Sequence, residues 1–366
     1  MKRFFFIAAI AGAALVSCTK NEVAQVENQD AITFARPVTA TATKAVEIVD
    51  DYPTEYNFSV FGHYFTGIYT TIEEGQLYMD NVETAYSEEC VGWDPKAVEN
   101  GVNYYWPKQG TITFAAYSPS SAEEDMDEVS YTGRGIQFKN FVVADKAEDQ
   151  YDLLFSERAY NQTKADMTTE KDPYKGVQIK FNHALSSIYF TVNTDIDYTP
   201  DNYEINVTKI ELRGVKNTGI FDQGLVDANN RITRVNTEWP GWTVLDDSPV
   251  KTYVAFEGDQ ELTEKATPTE NIEERENLNN NTNLILLPQR LTNVKLYVEY
   301  TIYNNNTNAV VEQTAELPIT QYGTVAQWFR GNRYIYNITI GLDKIYFDPT
   351  VKPWENVQAG TVTIGK

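Results

Sequence analysis

The sequence predicts an all-β protein, and three observations carry that expectation. Apolar residues recur at every second position in short runs such as Phe58 to Tyr64, Val177 to Phe181 and Ile188 to Val192. That is the period of a strand with one buried face. Tyr, Thr, Val and Ile dominate these runs and Asn, Asp, Gly and Pro sit between them, which is the vocabulary of strands and turns. With 24 Tyr, 17 Phe and 6 Trp, and 42% hydrophobic residues, the chain has ample material for a core and is unlike a disordered polypeptide. Strands at regular spacing with turn signals argue for β-sandwiches.

The first residues lie outside that fold. Lys2 and Arg3 precede an apolar run from Phe4 to Val16, which is shorter than the ~20 residues of a bilayer span. A basic start, a short apolar stretch and small residues before Cys18 describe a signal peptide over residues 1–17. Leu15-Val16-Ser17-Cys18 resembles a bacterial lipobox, which implies cleavage before Cys18 and acylation of that residue. Several acyl chains on one residue meet the requirement for stable anchoring to a membrane. Residues 18–30 are polar and read as a lipidated tether.

Ala31 to Thr39 reads as a short strand in which Ile32 and Phe34 alternate. A small, polar stretch follows and ends at Lys44-Ala45. The next strands are expected around Tyr56 to Tyr64 and Ile112 to Ser118, the latter bounded by Pro107 and Pro119. Residues 120–128 read as an acidic loop, and Asp152 to Phe155 as a short apolar run. Asn161 to Gly176 is polar and reads as a linker, which divides the chain into domains at 31–172 and 173–366. Val177 to Val192 is the strongest strand signal, with a bend or single helical turn at His183-Ala184-Leu185. Further strands are expected at Tyr203–Leu212, Thr252–Phe256, Asn283–Leu287, Val294–Tyr303, Val310–Leu317 and Arg333–Ile340, with Lys344 to Phe347 extending the last. Only residues 261–276 look helical, and Pro268 breaks that pattern.

Charge and composition exclude several functions. The net charge of −22 becomes −24 once Lys2 and Arg3 are removed, and so acidic a surface repels nucleic acid. With Cys18 acylated, Cys90 has no partner in the chain, so no disulfide is expected and Cys90 reads as a small buried hydrophobe. No HExxH, paired Cys–His or GxSxG pattern appears, and neither catalysis, a metal nor a cofactor is expected. His183 reads as a packing and hydrogen-bonding residue at a strand bend. The acidic residues from Glu123 to Glu128 have the oxygen ligands calcium prefers but lack the spacing of an EF-hand loop, and read as a solvated loop.

Several segments in this order resemble the fimbrillin family, the type V pilins of Bacteroidetes. They are the lipobox at Cys18, Phe114-Ala115-Ala116-Tyr117-Ser118-Pro119, Asp152-Leu153-Leu154 and Phe181-Asn182-His183-Ala184-Leu185-Ser186. Next come Leu212-Arg213-Gly214-Val215 with Thr218-Gly219, and Leu286-Leu287-Pro288-Gln289. The last are Trp328 with Gly331-Asn332-Arg333-Tyr334-Ile335-Tyr336, and Val351-Lys352-Pro353-Trp354. The resemblance implies two tandem transthyretin-like β-sandwiches of Greek-key topology. It also implies a lipoprotein carried to the outer surface of the outer membrane and cut there by a trypsin-like protease. The N-terminal strand then leaves, and the C-terminal strand of a neighbouring pilin subunit fills the groove. The expected roles are adhesion to a host or bacterial surface ligand, or biofilm formation.

On that scheme, Ile32 and Phe34 form the buried face of the displaced strand. Cleavage is expected at Lys44-Ala45 rather than at Arg36, because Arg36 precedes Pro37 and lies too early to release the whole strand. Val357, Val362 and Ile364 are the candidate donor residues, alternating with Thr at 361–364. Those residues either fill a neighbour's groove or complete the chain's own second domain. A tip or anchor subunit, or a surface glycan-binding lipoprotein that never polymerises, are the alternative readings.

Overall fold

The computed structural model describes residues 31–39, 52–167, 176–194, 203–224, 241–262, 283–321, 325–341 and 345–353. The first ten strands are β1 (Val38–Thr39), β2 (Phe58–Phe65), β3 (Gln76–Ser87), β4 (Gly92–Asp94), β5 (Thr111–Ser118), β6 (Glu128–Thr132), β7 (Gly135–Val142), β8 (Leu154–Ser156), β9 (Ala159–Gln162) and β10 (Lys180–His183). The next ten are β11 (Ser186–Thr194), β12 (Tyr203–Lys216), β13 (Thr218–Asp222), β14 (Gly241–Val244), β15 (Val250–Glu261), β16 (Leu284–Leu286), β17 (Lys295–Asn304), β18 (Ala309–Pro318), β19 (Asn332–Ile340) and β20 (Ile345–Pro353). Among the described residues the helical pieces are short 3-10 turns, so the chain is all-β as its composition predicts.

Four sheets contain these strands. The first runs β1-β10-β8-β5-β2-β3-β4, with β9 paired to β5. Its strands β2 and β5 are buried on both faces because two cores sandwich them. Phe58, Val60, Ile112 and Phe114 face one core, while Phe61, Phe65, Ala115 and Tyr117 face a second. A sheet of order β14-β13-β7-β6 contributes Phe138 and Phe221 to that second core, the two rings stacked at 5.3 Å. The remaining sheets, β16-β11-β19-β20 and β15-β12-β17-β18, share the same core through Ile188, Phe190, Val207, Leu212, Val298 and Ile338.

The chain changes sheets at Ala184-Leu185. β10 pairs antiparallel with β8, whereas β11 pairs in parallel with β19 from Ser187↔Arg333 to Thr194↔Ile340. Between them Ala184 N donates to Leu153 O at 2.8 Å, Gly331 N donates to Leu185 O at 2.8 Å, and Trp242 Nε1 donates to Ala184 O. The single strong strand signal at Val177 to Val192 is therefore two strands serving two sheets, and the bend between them is real. Residues 177–183 sit with the strands before residue 172, and β7 pairs with β13 across that position.

Some expectations need correcting. Ile345 to Phe347 do not extend β19: they belong to β20, which pairs antiparallel with β19 from Asn332↔Pro353 to Ile340↔Ile345, while Lys344 lies outside the described residues. Pro349 and Pro353 fall in β20, which among the described residues is an edge strand, the place in a sheet where proline is tolerated because every second N–H points away from the ladder. The acidic stretch is a 3-10 turn, Ser120–Asp125, leading into β6. Asn161 and Gln162 belong to β9 rather than to a linker. Residues 263–276 of the helical expectation lie outside the described residues.

Candidate functional site

Residues 31–39 occupy a slot in the first sheet, and the local sequence explains why. Ile32 and Phe34 project into the core and are fully buried. The Phe34 ring meets Phe58 edge-on at 5.8 Å and Phe114 edge-on at 5.4 Å. Ala31, Thr33 and Ala35, on the opposite face, are small and also buried. One side of this segment is antiparallel to β4: Phe34 N donates to Trp93 O and Trp93 N to Phe34 O, each at 2.8 Å. Ile32 N donates to Tyr104 O at 2.7 Å. The other side is parallel to Val177: Ala35 N donates to Val177 O at 3.0 Å, and Val177 N to Thr33 O at 2.9 Å. Beyond Pro37, Val38 N donates to Ile179 O at 3.0 Å. The sheet path ends at β4 and at β1, which lies within residues 31–39 and pairs with β10, so the bridge from Phe34 to Trp93 of β4 joins the two ends and closes the ring of strands.

Gly176 fits tightly against this strand. Its φ is +139°, and a Cβ there would fall 2.5–2.6 Å from the backbone N, Cα and C of Phe34. Only a residue without a side chain allows that approach. Withdrawal of residues 31–39 would leave the Tyr104, Trp93, Val177 and Ile179 carbonyls and the Trp93 and Val177 amides unpaired. It would also open apolar slots where Ile32 and Phe34 stood. Unpaired edges beside an apolar slot are a template for another strand. Burial of Ile32, Phe34 and Val38 stabilises by about 1.5–3 kcal/mol each, and six backbone hydrogen bonds add about 1 kcal/mol each.

The structure describes one of the two candidate cleavage positions, Arg36. Arg36 is half-buried, its carbonyl accepts from Gln178 Nε2 at 2.8 Å, and Pro37 after it is buried. That bond is within the seated segment and closed to a protease. Lys44 and Ala45 lie outside the described residues, as do Cys18, Val357, Val362 and Ile364.

The other candidates have ordinary settings. His183 is buried and its Nδ1 lies 2.6 Å from Asp152 Oδ2, joining two of the segments singled out in the sequence. Cys90 is half-buried rather than buried, at the turn from β3 to β4, and burial and Asp94 push its thiol pKa up. Within the acidic stretch, Glu123 accepts from Asn81 Nδ2 and Asp125 from Tyr151 Oη, each at 2.8 Å, and Asp127 accepts from Asn140 Nδ2 at 2.7 Å. The carboxylates thus turn to separate partners. The sequence reading missed the walls of the slot, Trp93, Tyr104 and Gly176. The glycine directly before the Val177 strand was the available signal.

The fimbrillin-like family model matches residues 43–354. No curated protein matches the chain. Among solved structures, a fimbrial protein from Bacteroides vulgatus is similar at 18% identity and a TM-score of 0.52, over 89% of this chain and 100% of that one. A candidate cell adhesion protein from Bacteroides uniformis is 13% identical, with a TM-score of 0.49, over 89% of this chain and 99% of that one. A fimbrilin from Porphyromonas gingivalis is 9% identical, with a TM-score of 0.37, over 89% and 98%. The first of these shares the β fold described above, and the family match spans most of the sequence: this chain belongs to the fimbrillin-like family.

Proposed function

We propose that this chain is a fimbrial subunit that polymerises by donor-strand exchange and serves in adhesion or biofilm formation at the cell surface. The observation that carries this reading is the seating of residues 31–39, which close a ring of strands through backbone hydrogen bonds on both sides and are followed in sequence by a small, polar stretch ending at Lys44. In this reading the chain is exported as a lipoprotein anchored at Cys18 in the outer membrane. A trypsin-like protease cuts after Lys44, and a strand from another pilin subunit replaces Ile32 and Phe34. Its role is structural, and no catalytic step is assigned to it.

The test is limited trypsin treatment of the unlipidated chain beginning at residue 19, followed by intact mass and an unheated SDS gel. Cleavage after Lys44 with an SDS-resistant ladder is expected. Resistance of residues 31–45 to cutting, or cutting within 31–39, removes the basis of the reading and moves a non-polymerising glycan-binding lipoprotein to first place.

A further inference from the structure

Among the described residues the sheets are blunted at every edge but one. The first sheet closes on itself. β6, β14 and β16 are three to five residues long, β20 carries Pro349 and Pro353, and β15 departs from register with β12 at three points. Closure, short strands, prolines and bulges all keep an edge from pairing with another chain. β18 has none of these. It ends its sheet and pairs with β17 without a shift from Lys295↔Pro318 to Asn304↔Ala309. It contains no lysine or arginine, and Pro318 is its last residue. Its inner face is also incompletely covered. Ala315 and Leu317 pack against the core, but Val311, opposite Ile302, is 46% exposed, and Gln313, opposite Tyr300, is exposed too. On the outer face Val310 is 60% exposed.

We propose that β18 is the contact for a second copy of this chain, the two edges pairing antiparallel about a two-fold axis through Gln313. The strand's own sequence, Ala-Val-Val-Glu-Gln-Thr-Ala-Glu-Leu-Pro, selects that register. Residues opposite each other lie on the same face, so only registers that differ by two residues keep Val311, Gln313, Ala315 and Leu317 on one side. With Gln313 on the axis, Ala309 faces Leu317 of the second copy, Val310 faces Glu316, Val311 faces Ala315 and Glu312 faces Thr314. Residues 309–317 all pair, and Pro318 stays outside. An axis at Glu312 would set that carboxylate against its own copy. An axis at Thr314 would set Glu312 against Glu316 and Pro318 against Val310. Like charges directly opposite destabilise a strand pair, and proline has no N–H to give. Axes farther out pair fewer residues. In the chosen register Glu316 is compensated by Arg213 at 2.8 Å and Lys295 at 2.5 Å. The two Gln313 amides, each donor and acceptor, complete one another across the axis. The contact is isologous and closes on two subunits. It forms in the intact chain with residues 31–39 seated, and so stands apart from the donor-strand reading.

The experiment uses the intact, unnicked chain beginning at residue 19 with Cys90→Ser as background. It reads sedimentation against concentration, and disulfide-linked dimer after mild oxidation. A concentration-dependent dimer is expected. Val311→Lys should weaken it by about tenfold or more and leave the unfolding midpoint of the monomer unchanged, because Val311 is exposed. In the antiparallel pair only the residue on the axis meets its own copy, at a Cα separation of about 4.5–5.5 Å that a disulfide spans. Gln313→Cys should therefore cross-link. Glu312→Cys and Thr314→Cys, whose copies stand about 7–8 Å apart on the diagonal, should not. Cross-linking at either of those positions in preference to Gln313→Cys overturns the register. A chain that stays monomeric at every concentration, or a dimer that Val311→Lys leaves intact, overturns the assignment of β18.

Discussion

Truncating Phe34 to alanine tests whether residues 31–39 belong to the core or merely lie along it. The ring is fully buried and touches Phe58 and Phe114 edge-on at 5.8 and 5.4 Å. Phe→Ala at such a site costs about 3–5 kcal/mol, the lost transfer free energy plus the cavity left behind. With roughly 2–4 °C lost per kcal/mol in a chain of this class, the midpoint of thermal unfolding falls by about 6–20 °C. In nicked chains, about 3 kcal/mol is a factor of about one hundred in residence time if the loss falls on the dissociation barrier. The assay is thermal and urea unfolding of the intact chain beginning at residue 19, then release of the 31–44 fragment after the nick. Ile68→Ala serves as the control: Ile68 is 72% exposed and its truncation shifts stability by no more than about 0.5 kcal/mol. Equal behaviour of Phe34→Ala and Ile68→Ala would refute the reasoning.

Three further outcomes follow from particular contacts. Gly176→Ala places a methyl against the Phe34 backbone and strains a φ of +139°. It should therefore speed release of the nicked strand while leaving the β17–β18 hairpin unchanged by hydrogen exchange. Gln289 is buried, its Oε1 accepting from Lys216 N and its Nε2 donating to Lys216 O and Leu287 O. Gln289→Ala strands those groups and should cost about 1–3 kcal/mol in urea unfolding. Burial holds the His63 imidazole below its usual pKa, against an opposing pull from Asp80. The folded state therefore favours the neutral ring. As pH falls through about 6.5 the unfolded chain takes up the proton first, so this contribution is complete above that pH and lost below it. Thermal midpoints should fall between pH 7 and 5.5, and His63→Gln should flatten that slope.

What the sequence shows and hides follows from periodicity. β2, β5, β11 and β19 keep a strict alternation and were legible from it. β7 was not: Asn140 adopts φ +54° within it, so Phe138 and Phe141 reach the same core three residues apart instead of two. Asn81 does the same in β3 with φ +47°, and the β2–β3 register slips there. β4 is three residues long, too short to show a period, yet its Trp93 forms one wall of the slot. The N-terminal strand itself was readable because Ile32 and Phe34 alternate. That it closes a ring was not, since closure depends on Tyr104, Trp93 and Val177, which lie 59 to 143 residues away from Phe34 in sequence. That the bend at Ala184-Leu185 carries the chain from one sheet to another was not readable, for a similar reason. One apolar run supplies both sheets, and only the pairing partners distinguish its halves.

The most direct test of the central claim is replacement of the strand itself. Chains nicked after Lys44 are incubated with an isotopically labelled peptide of residues 31–39, and the native complex is weighed. The account predicts that the labelled peptide takes the slot one for one as the 31–44 fragment leaves, and that a peptide with Ile32 and Phe34 both changed to Asp does not. Retention of the original fragment at all peptide concentrations, or equal uptake of the Asp peptide, would contradict it.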